Sequence, residues 1–555
     1  MRLYRPTQVL AALKRLARRG SEAQPLLPDR PRAVLLQIDG LSSKRLSACM
    51  ARGEMPHLRR WLDSGKARLR TLEAASAPST PVFQAGLLYG GRGEVPGFGW
   101  FDRALGRTVR MDLAPDVIDV ERTLHQRGQA PLLQHGVSYG TIWSGDAAEA
   151  FFNVVRFAYG AAASGRVVRN RYDRLLSTVA GLGIAGQLTS RFVLELGVGL
   201  WDFARWCARI HTTRFEWRFL YMRLFVAVVM REVATQGAIV DILRGVPLVY
   251  VDFLGYDEYA HRRGPDSEMA LYNLRGVDKA IGRILHATEA VPEYRYDLYV
   301  FSDHGQSATL PFERVMGRDL HSFVLEHAAD GVASPVRAQE IRELVALREL
   351  ELWMRMLFRP LRPPVALYLG WLRRRISRRM SRRERAPLEA IRVVTGGSVA
   401  HLYFGARRSH PPDVDEIARR WPRMLDALAH CRAIGLVAGR SAQGPVVLYR
   451  GHRYALSDRH ALEPLEPFRA VGYDLLRLHL EQAALGHRSG DLVLYGAFCE
   501  AGNVSFDFEF GSHGGVAPEE LDQFAIHPAQ VDFPLTGAVP AEAFYRFFHS
   551  RYDAA

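Results

Sequence analysis

The sequence predicts an α/β fold built on a mostly parallel central sheet, and three observations carry that reading. Continuous apolar runs recur at residues 33–38 (AVLLQI), 246–251 and 298–301, as strands buried on both faces require. Patterns of helix length alternate with these runs. Each run ends at or near an acidic residue, Asp39, Asp252 or Asp303. Ligands in such folds collect outside the carboxyl ends of the strands.

In chain order, residues 1–30 form a basic amphipathic segment, and 31–150 supply the first part of the core. Residues 151–245 are helix-like and rich in aromatics and arginine, which makes them a helical insertion. Their stretch FEWRFLYMRLFVAVVMREVATQGAIVDIL (215–243) is apolar around much of its circumference, yet Arg218, Arg223 and Arg231 interrupt it. It reads as a helix packed in a core or interface rather than one in a membrane. The core resumes over 246–330, and a basic helical insertion over 331–390 carries eight arginines within 373–385. Residues 391–460 resemble strands flanking a helix over 413–431, a small α+β cap. The core returns over 461–555, with a further candidate strand at 492–497.

The 555 residues are 48% hydrophobic and 24% charged, an ordinary balance for a folded protein, so wholesale disorder is excluded. A net charge of +14 favours an anionic partner. For the arginine run, with the short apolar VALYLGWL before it, an anionic membrane surface ranks ahead of a solvated helix face. Nucleic acid ranks third, because no recognised motif occurs and the run has few interleaved aromatics. The cysteines, Cys49, Cys207, Cys431 and Cys499, are scattered and form no disulfide framework or zinc knuckle. No apolar stretch approaches eighteen residues. The expected location is cytoplasmic, peripheral on the inner face of the membrane. Nothing in the sequence fixes an oligomeric state.

Four scattered clusters carry candidate chemistry. Asp39-Gly40 follows a strand, where a carboxylate projects into the crevice or, alone, caps the next helix. Ser79-Thr80-Pro81 reads as a helix start, which is both an ordinary cap and a natural phosphate site. Asp257 and His261 stand four apart, on one face of a helical turn, and Asp303-His304-Gly305 follows a strand. His513 sits in the glycine-rich loop GSHGG. Carboxylates and imidazoles around an exposed hydroxyl are what metal-assisted phosphoryl transfer needs.

Taken together, IDG (38–40), MPHLRRWLDSG (55–65), APSTPVFQAGLLYG (77–90), YDEYAHRRGP (256–265), FSDHG (301–305) and GSHGG (511–515) give a resemblance. The chain resembles the alkaline phosphatase superfamily, most closely its type I phosphodiesterase/nucleotide pyrophosphatase branch. The resemblance implies an alkaline-phosphatase-like core, a mostly parallel sheet flanked by helices, with the helical insertions and cap added. It implies two divalent ions, usually zinc. Asp39, Asp303 and His304 would hold the ion that also binds the nucleophile, and Asp257, His261 and His513 the ion facing the departing oxygen. Thr80 matches the family's nucleophile and metal-bound hydroxyl, counted ten residues back from Gly90, with Ser79 as the fallback. A covalent phosphothreonine would follow.

Two departures bear on the substrate. Related nucleotide pyrophosphatases carry an Asn three residues after the nucleophile, where this chain has Phe83; the adjacent Gln84 is the candidate substitute for binding substrate phosphate. No cysteine lies at the nucleophile, which disfavours sulfate esters. The expected activity is hydrolysis of a phosphate ester, as phosphodiesterase or phosphatase, on a membrane-associated compound. The alternatives are a phosphomonoesterase or phosphotransferase of the same superfamily, or a catalytically silent binding scaffold.

Overall fold

The structure, a computed structural model, describes residues 31–91, 95–126, 129–154, 195–206, 208, 225–328, 367–368, 371, 390–405, 411–498 and 502–553. The basic N-terminal segment, most of the first insertion and the arginine run at 373–385 lie outside the described residues.

Eight strands make the main sheet: β1 (Arg32–Ile38), β2 (Ala67–Ala74), β3 (Val137–Tyr139), β4 (Glu149–Phe151), β5 (Leu248–Phe253), β6 (Tyr296–Phe301), β7 (Asp522–Pro528) and β8 (Gly537–Val539). Their spatial order is β8-β2-β7-β6-β1-β5-β3-β4. All neighbours pair in parallel except β7, which runs antiparallel to both β2 and β6. The expected mostly parallel α/β sheet is therefore present, with one reversed strand.

The apolar runs are continuous because the sheet is covered on both sides. Along β1, Val34, Leu36 and Ile38 enter one core with the helices Arg231–Arg244 and Glu268–Glu289. Ala33 and Leu35 enter a second core, with the helices Thr80–Tyr89 and Ala541–Phe548. The described end of the 215–243 stretch is thus core, with Ala238, Ile242 and Leu243 at most 1% exposed. Among the described residues no helix is long and apolar enough to cross a membrane.

A second, six-stranded sheet is wholly antiparallel, in the order Ile391–Gly396, Val399–Phe404, Leu492–Gly496, Ile434–Ser441, Gly444–Tyr449, His452–Ala455. The candidate strand at 492–497 forms here, between two cap strands, and not beside the parallel strands whose apolar text it shares. The single helix read over 413–431 is two, Val414–Arg420 and Pro422–His430. Pro422 lacks an N–H and disfavours helical backbone at Trp421, so the chain breaks and restarts there.

Candidate active site

Strand direction brings the site together. β1, β2, β5 and β6 share one direction, so Asp39, Thr80, Asp252 and Asp303 emerge at the same edge of the sheet. β7 runs the other way, so its amino-terminal end lies at that edge and the loop before it delivers His513 there.

Asp39 is no helix cap. The helix Ser43–Ala51 is capped by Ser42, whose hydroxyl accepts from the Arg45 N–H at 3.2 Å. Gly40 turns with φ +70°, and a Cβ there would stand 2.5 Å from Asp257 Oδ1. Its N–H donates to Asp303 Oδ1 at 3.3 Å. Only glycine permits that turn and that close approach.

Thr80 opens a ten-residue helix behind Ser79, whose backbone is extended and whose side chain makes no capping bond. Thr80 Oγ1 lies 3.3 and 3.4 Å from the two Asp39 carboxylate oxygens and 3.3 Å from His304 Nε2. The helix start adds its positive dipole end beside that hydroxyl.

The imidazoles are oriented by backbone carbonyls. His304 Nδ1 donates to Gly305 O and His513 Nδ1 to Pro78 O, each at 2.9 Å, which leaves both Nε2 lone pairs facing the carboxylates. The two rings stack with centroids 3.9 Å apart. His304 Nε2 is 3.2 Å from Asp303 Oδ2 and 3.6 Å from Asp39 Oδ1. His513 Nε2 is 3.8 Å from Asp257 Oδ1.

Two groups of side chains bring ligand atoms within 4.8 Å of one another: Asp39, Asp303 and His304, and Asp257, His304 and His513. The first is the triad the resemblance implies. The second differs from the triad implied for the other ion, since His304 takes part in both and His261, whose ring centroid lies 5.0 Å from that of His513, is not among its three. His261 Nε2 lies 3.0 Å from Asp257 Oδ2, while its Nδ1 faces Gly511 O at 2.9 Å and Glu509 Oε2 at 3.1 Å.

These residues fit a cation. Asp303 Oδ2 is buried without a hydrogen-bond partner, beside the Asp39 carboxylate and the unprotonated Nε2 of His304. Burial, then the neighbouring Asp303 and Asp257 charges, push Asp39 well above the usual carboxylate range. Burial and Asp257 raise Asp303 to about 7. Burial lowers His304 and His513 to about 4, keeping both neutral and able to ligate. Burial alone would raise Asp257, but the His261 charge outweighs it and holds that carboxyl down. Burial would likewise discharge His261, but Asp257 and Glu509 outweigh it and raise its pKa well above the ordinary value.

Gln84 requires a correction. It is fully buried, its Nε2 donates to Asp252 Oδ2 at 2.7 Å and its Oε1 accepts from the Ile142 N–H at 2.9 Å. Both ends of the amide are engaged in tying the Thr80 helix to strand β5 and to the loop at Ile142, so neither faces a substrate phosphate. Phe83 is core as well, 5.3 Å from Phe544 and 5.9 Å from Phe301 between ring centroids. The position that carries a polar contact in related enzymes is here given to packing.

Sequence reasoning missed two carboxylates that fix the ligands. Glu509 faces His261, and Glu520 accepts from Ser307 Oγ at 2.6 Å and the Gly515 N–H at 2.7 Å, while its backbone oxygen accepts from the Gly305 N–H at 3.0 Å. Glu520 thus ties the His513 loop to the turn that carries His304. The signal was faint: two glutamates flanking a glycine-rich histidine loop. The cap reaches the same loop, since the Ser398 N–H at its hairpin tip donates to His513 O at 2.9 Å.

Residues 33–351, more than half of the chain, match the family model described as type I phosphodiesterase / nucleotide pyrophosphatase. Among solved structures, phosphonoacetate hydrolase from Sinorhizobium meliloti 1021, in complex with phosphonoformate, aligns at 14% identity over 94% of this chain and 96% of that chain, with a TM-score of 0.46. A murine ectonucleotide pyrophosphatase / phosphodiesterase 5, an inactive form in complex with AMP, aligns at 12% identity over 95% of this chain and 96% of that one, with a TM-score of 0.43. No curated protein matches the chain. The family match and the motif residues converging on one sheet edge agree: the chain belongs to the type I phosphodiesterase/nucleotide pyrophosphatase family of the alkaline phosphatase superfamily and is a phosphoric ester hydrolase.

Proposed function

We propose that this chain hydrolyses phosphate esters with two divalent ions, zinc by family preference, through a covalent phosphothreonine on Thr80. The observation that carries the reading is the Thr80 hydroxyl, held 3.3–3.4 Å from Asp39 and His304. Asp39, Asp303 and His304 would hold one ion, and Asp257, His261 and His513, with His304 between them, the other. When bound, such ions supply positive charge to the attacking and leaving oxygens of an in-line displacement.

The chain's own groups do the rest. Thr80 Oγ1 loses its proton along its hydrogen bond to Asp39, and the oxygen forms a bond to phosphorus. The bond from phosphorus to the departing alcohol breaks, and that oxygen takes up a proton. Water then attacks the phosphothreonine, restoring the hydroxyl and releasing phosphate or a monoester. The neutral His304 and His513, each fixed through Nδ1, hold the geometry without adding charge.

The substrate is proposed to be membrane-associated. Leu367, Tyr368 and Trp371 are exposed just before the arginine run, and Tyr368 and Trp371 stack with centroids 6.0 Å apart. Apolar tips beside a cationic run suit an anionic lipid surface.

The test is a panel of phosphate mono- and diesters assayed with zinc or manganese. Thr80→Ala should lose turnover by on the order of 10⁴-fold or more while keeping its metal content. Full activity in that variant would transfer the role to Ser79.

A further inference from the structure

One buried amide stands against the second ligand group. Gln306 follows the Asp303-His304-Gly305 turn and is fully buried. Its Nε2 donates to Asp257 Oδ1 at 3.0 Å. The amide sits this way round because its oxygen, in the same place, would face a carboxylate. Asp257 is thereby held at both oxygens, since its Oδ2 lies 3.0 Å from His261 Nε2. The oxygen that Gln306 holds is the one His513 Nε2 approaches, at 3.8 Å.

The backbone that carries Gln306 is fixed on three sides. Its own carbonyl accepts from Arg45 Nη1. The preceding Gly305 N–H donates to Glu520 O at 3.0 Å. The following Ser307 and Ala308 pair antiparallel with Ser512 and Gly511, beside His513. A side chain on so constrained a turn has a defined reach, which is what orienting a ligand requires.

Two features mark the amide as serving the ion site rather than the core. Its Oε1 is buried without a hydrogen-bond partner, a cost that a packing residue would avoid. Its N–H is also a neutral donor. The Asp257 charge bears on both Asp39 and Asp303, and like charges at such close quarters push one another apart. A neutral donor holds the Asp257 oxygen against that repulsion and leaves its negative charge to a cation. An arginine or lysine there would cancel part of that charge.

We propose that Gln306 is a positioning residue for the second ion: it fixes Asp257 Oδ1 on the His513 side, and so ties that ion's site to the short turn that carries Asp303 and His304. The proposal rests on the two-ion reading, and its test reads metal affinity and stability rather than turnover.

The experiment strips the full chain of metal and titrates zinc in competition with a chromophoric chelator. It compares the parent with Gln306→Met, which keeps length and shape without a donor, and with Gln306→Asn, an amide one methylene too short to reach. The parent should retain two ions. Both variants should weaken one ion by about 10- to 100-fold, as loss of a ligand's supporting partner does, and leave the other unchanged. In a His513→Ala background, where the Asp39 group alone is loaded, Gln306→Met should change nothing further. The metal-free Gln306→Met chain should melt close to the parent, because one made bond and one unmet acceptor disappear together. Two ions held by both variants as tightly as by the parent would overturn the positioning role. A lower metal-free melting temperature with zinc affinity unchanged would also overturn it, by assigning the amide to packing. A parent that retains fewer than two ions would overturn the two-ion reading itself, and this role with it.

Discussion

The two ligand groups are built from different parts of the fold. Asp39 and Asp303 stand at the ends of adjacent parallel strands, and with His304 they have side chains at most 3% exposed. Asp257, His261 and His513 come from a helix and a glycine-rich loop before the reversed strand, with side chains 11–16% exposed. The first group is fixed by the sheet itself. The second depends on partners: Glu509 on His261, Glu520 on the loop, and the cap hairpin on the His513 carbonyl. One group is thus framed by backbone register and the other by side-chain contacts from three regions. His304 joins them.

That contrast breaks most visibly at the joint. His304→Ala removes a ligand from both groups and should abolish retention of both ions, with turnover lost by on the order of 10⁴-fold. His513→Ala should reduce the ion content by one and leave the Asp39 group loaded. Losing a ligand should cost more affinity than the about 10–100-fold typical of losing a ligand's supporting partner. Equal metal content in the two variants, measured by elemental analysis, would contradict the division into two groups.

A smaller effect appears in the pH dependence of the metal-free protein. His304 and His513, lowered to about 4, are neutral when folded but still half-protonated at pH 6.5 when unfolded, so they add a small rise that fades toward pH 8 and that the raised groups outweigh. Asp303 and Glu520, each raised to about 7 chiefly by burial, are protonated when folded at lower pH. Their stability contribution is present below the unfolded carboxylate pKa and is lost as pH rises through 7. His261, also raised, adds to the same trend. With chelator present, the melting temperature should fall as pH rises from 6.5 to 8, and zinc should remove that fall. A metal-free melting temperature that rises over this range would contradict the crowding of buried carboxylates.

The smallest effect concerns the surface. Neutralising the eight arginines within 373–385 should reduce sedimentation with anionic vesicles, each charge contributing about 1 kcal/mol near such a surface, while leaving hydrolysis of a water-soluble ester unchanged. Undiminished sedimentation would remove the membrane argument.

What the sequence made legible follows the same division. Asp39 and Asp303 could be placed because a doubly buried strand is a continuous apolar run and its end is marked by the next polar residue. Thr80 was legible as a helix start, and Asp257 with His261 as one helical face. The strand Leu492–Gly496 reads like β1, because burial on both faces leaves the same text whichever sheet the strand joins. Gln84 was misread because proximity in sequence to Thr80 does not give the direction of a side chain, and its amide turns to Asp252 and Ile142. Sharing of His304 between the two groups, and the support from Glu509 and Glu520, depend on contacts between residues far apart in the chain, which no local pattern records.

The central claim is that the hydroxyl between these groups is the nucleophile. The most direct measurement is to mix the zinc-loaded protein with excess phosphate ester, quench in acid during turnover, and map the phosphorylated peptide by mass spectrometry. A single phosphoryl group on Thr80 is the expected result; a phosphoryl group on Ser79, or none on a protein that is turning over, would contradict it.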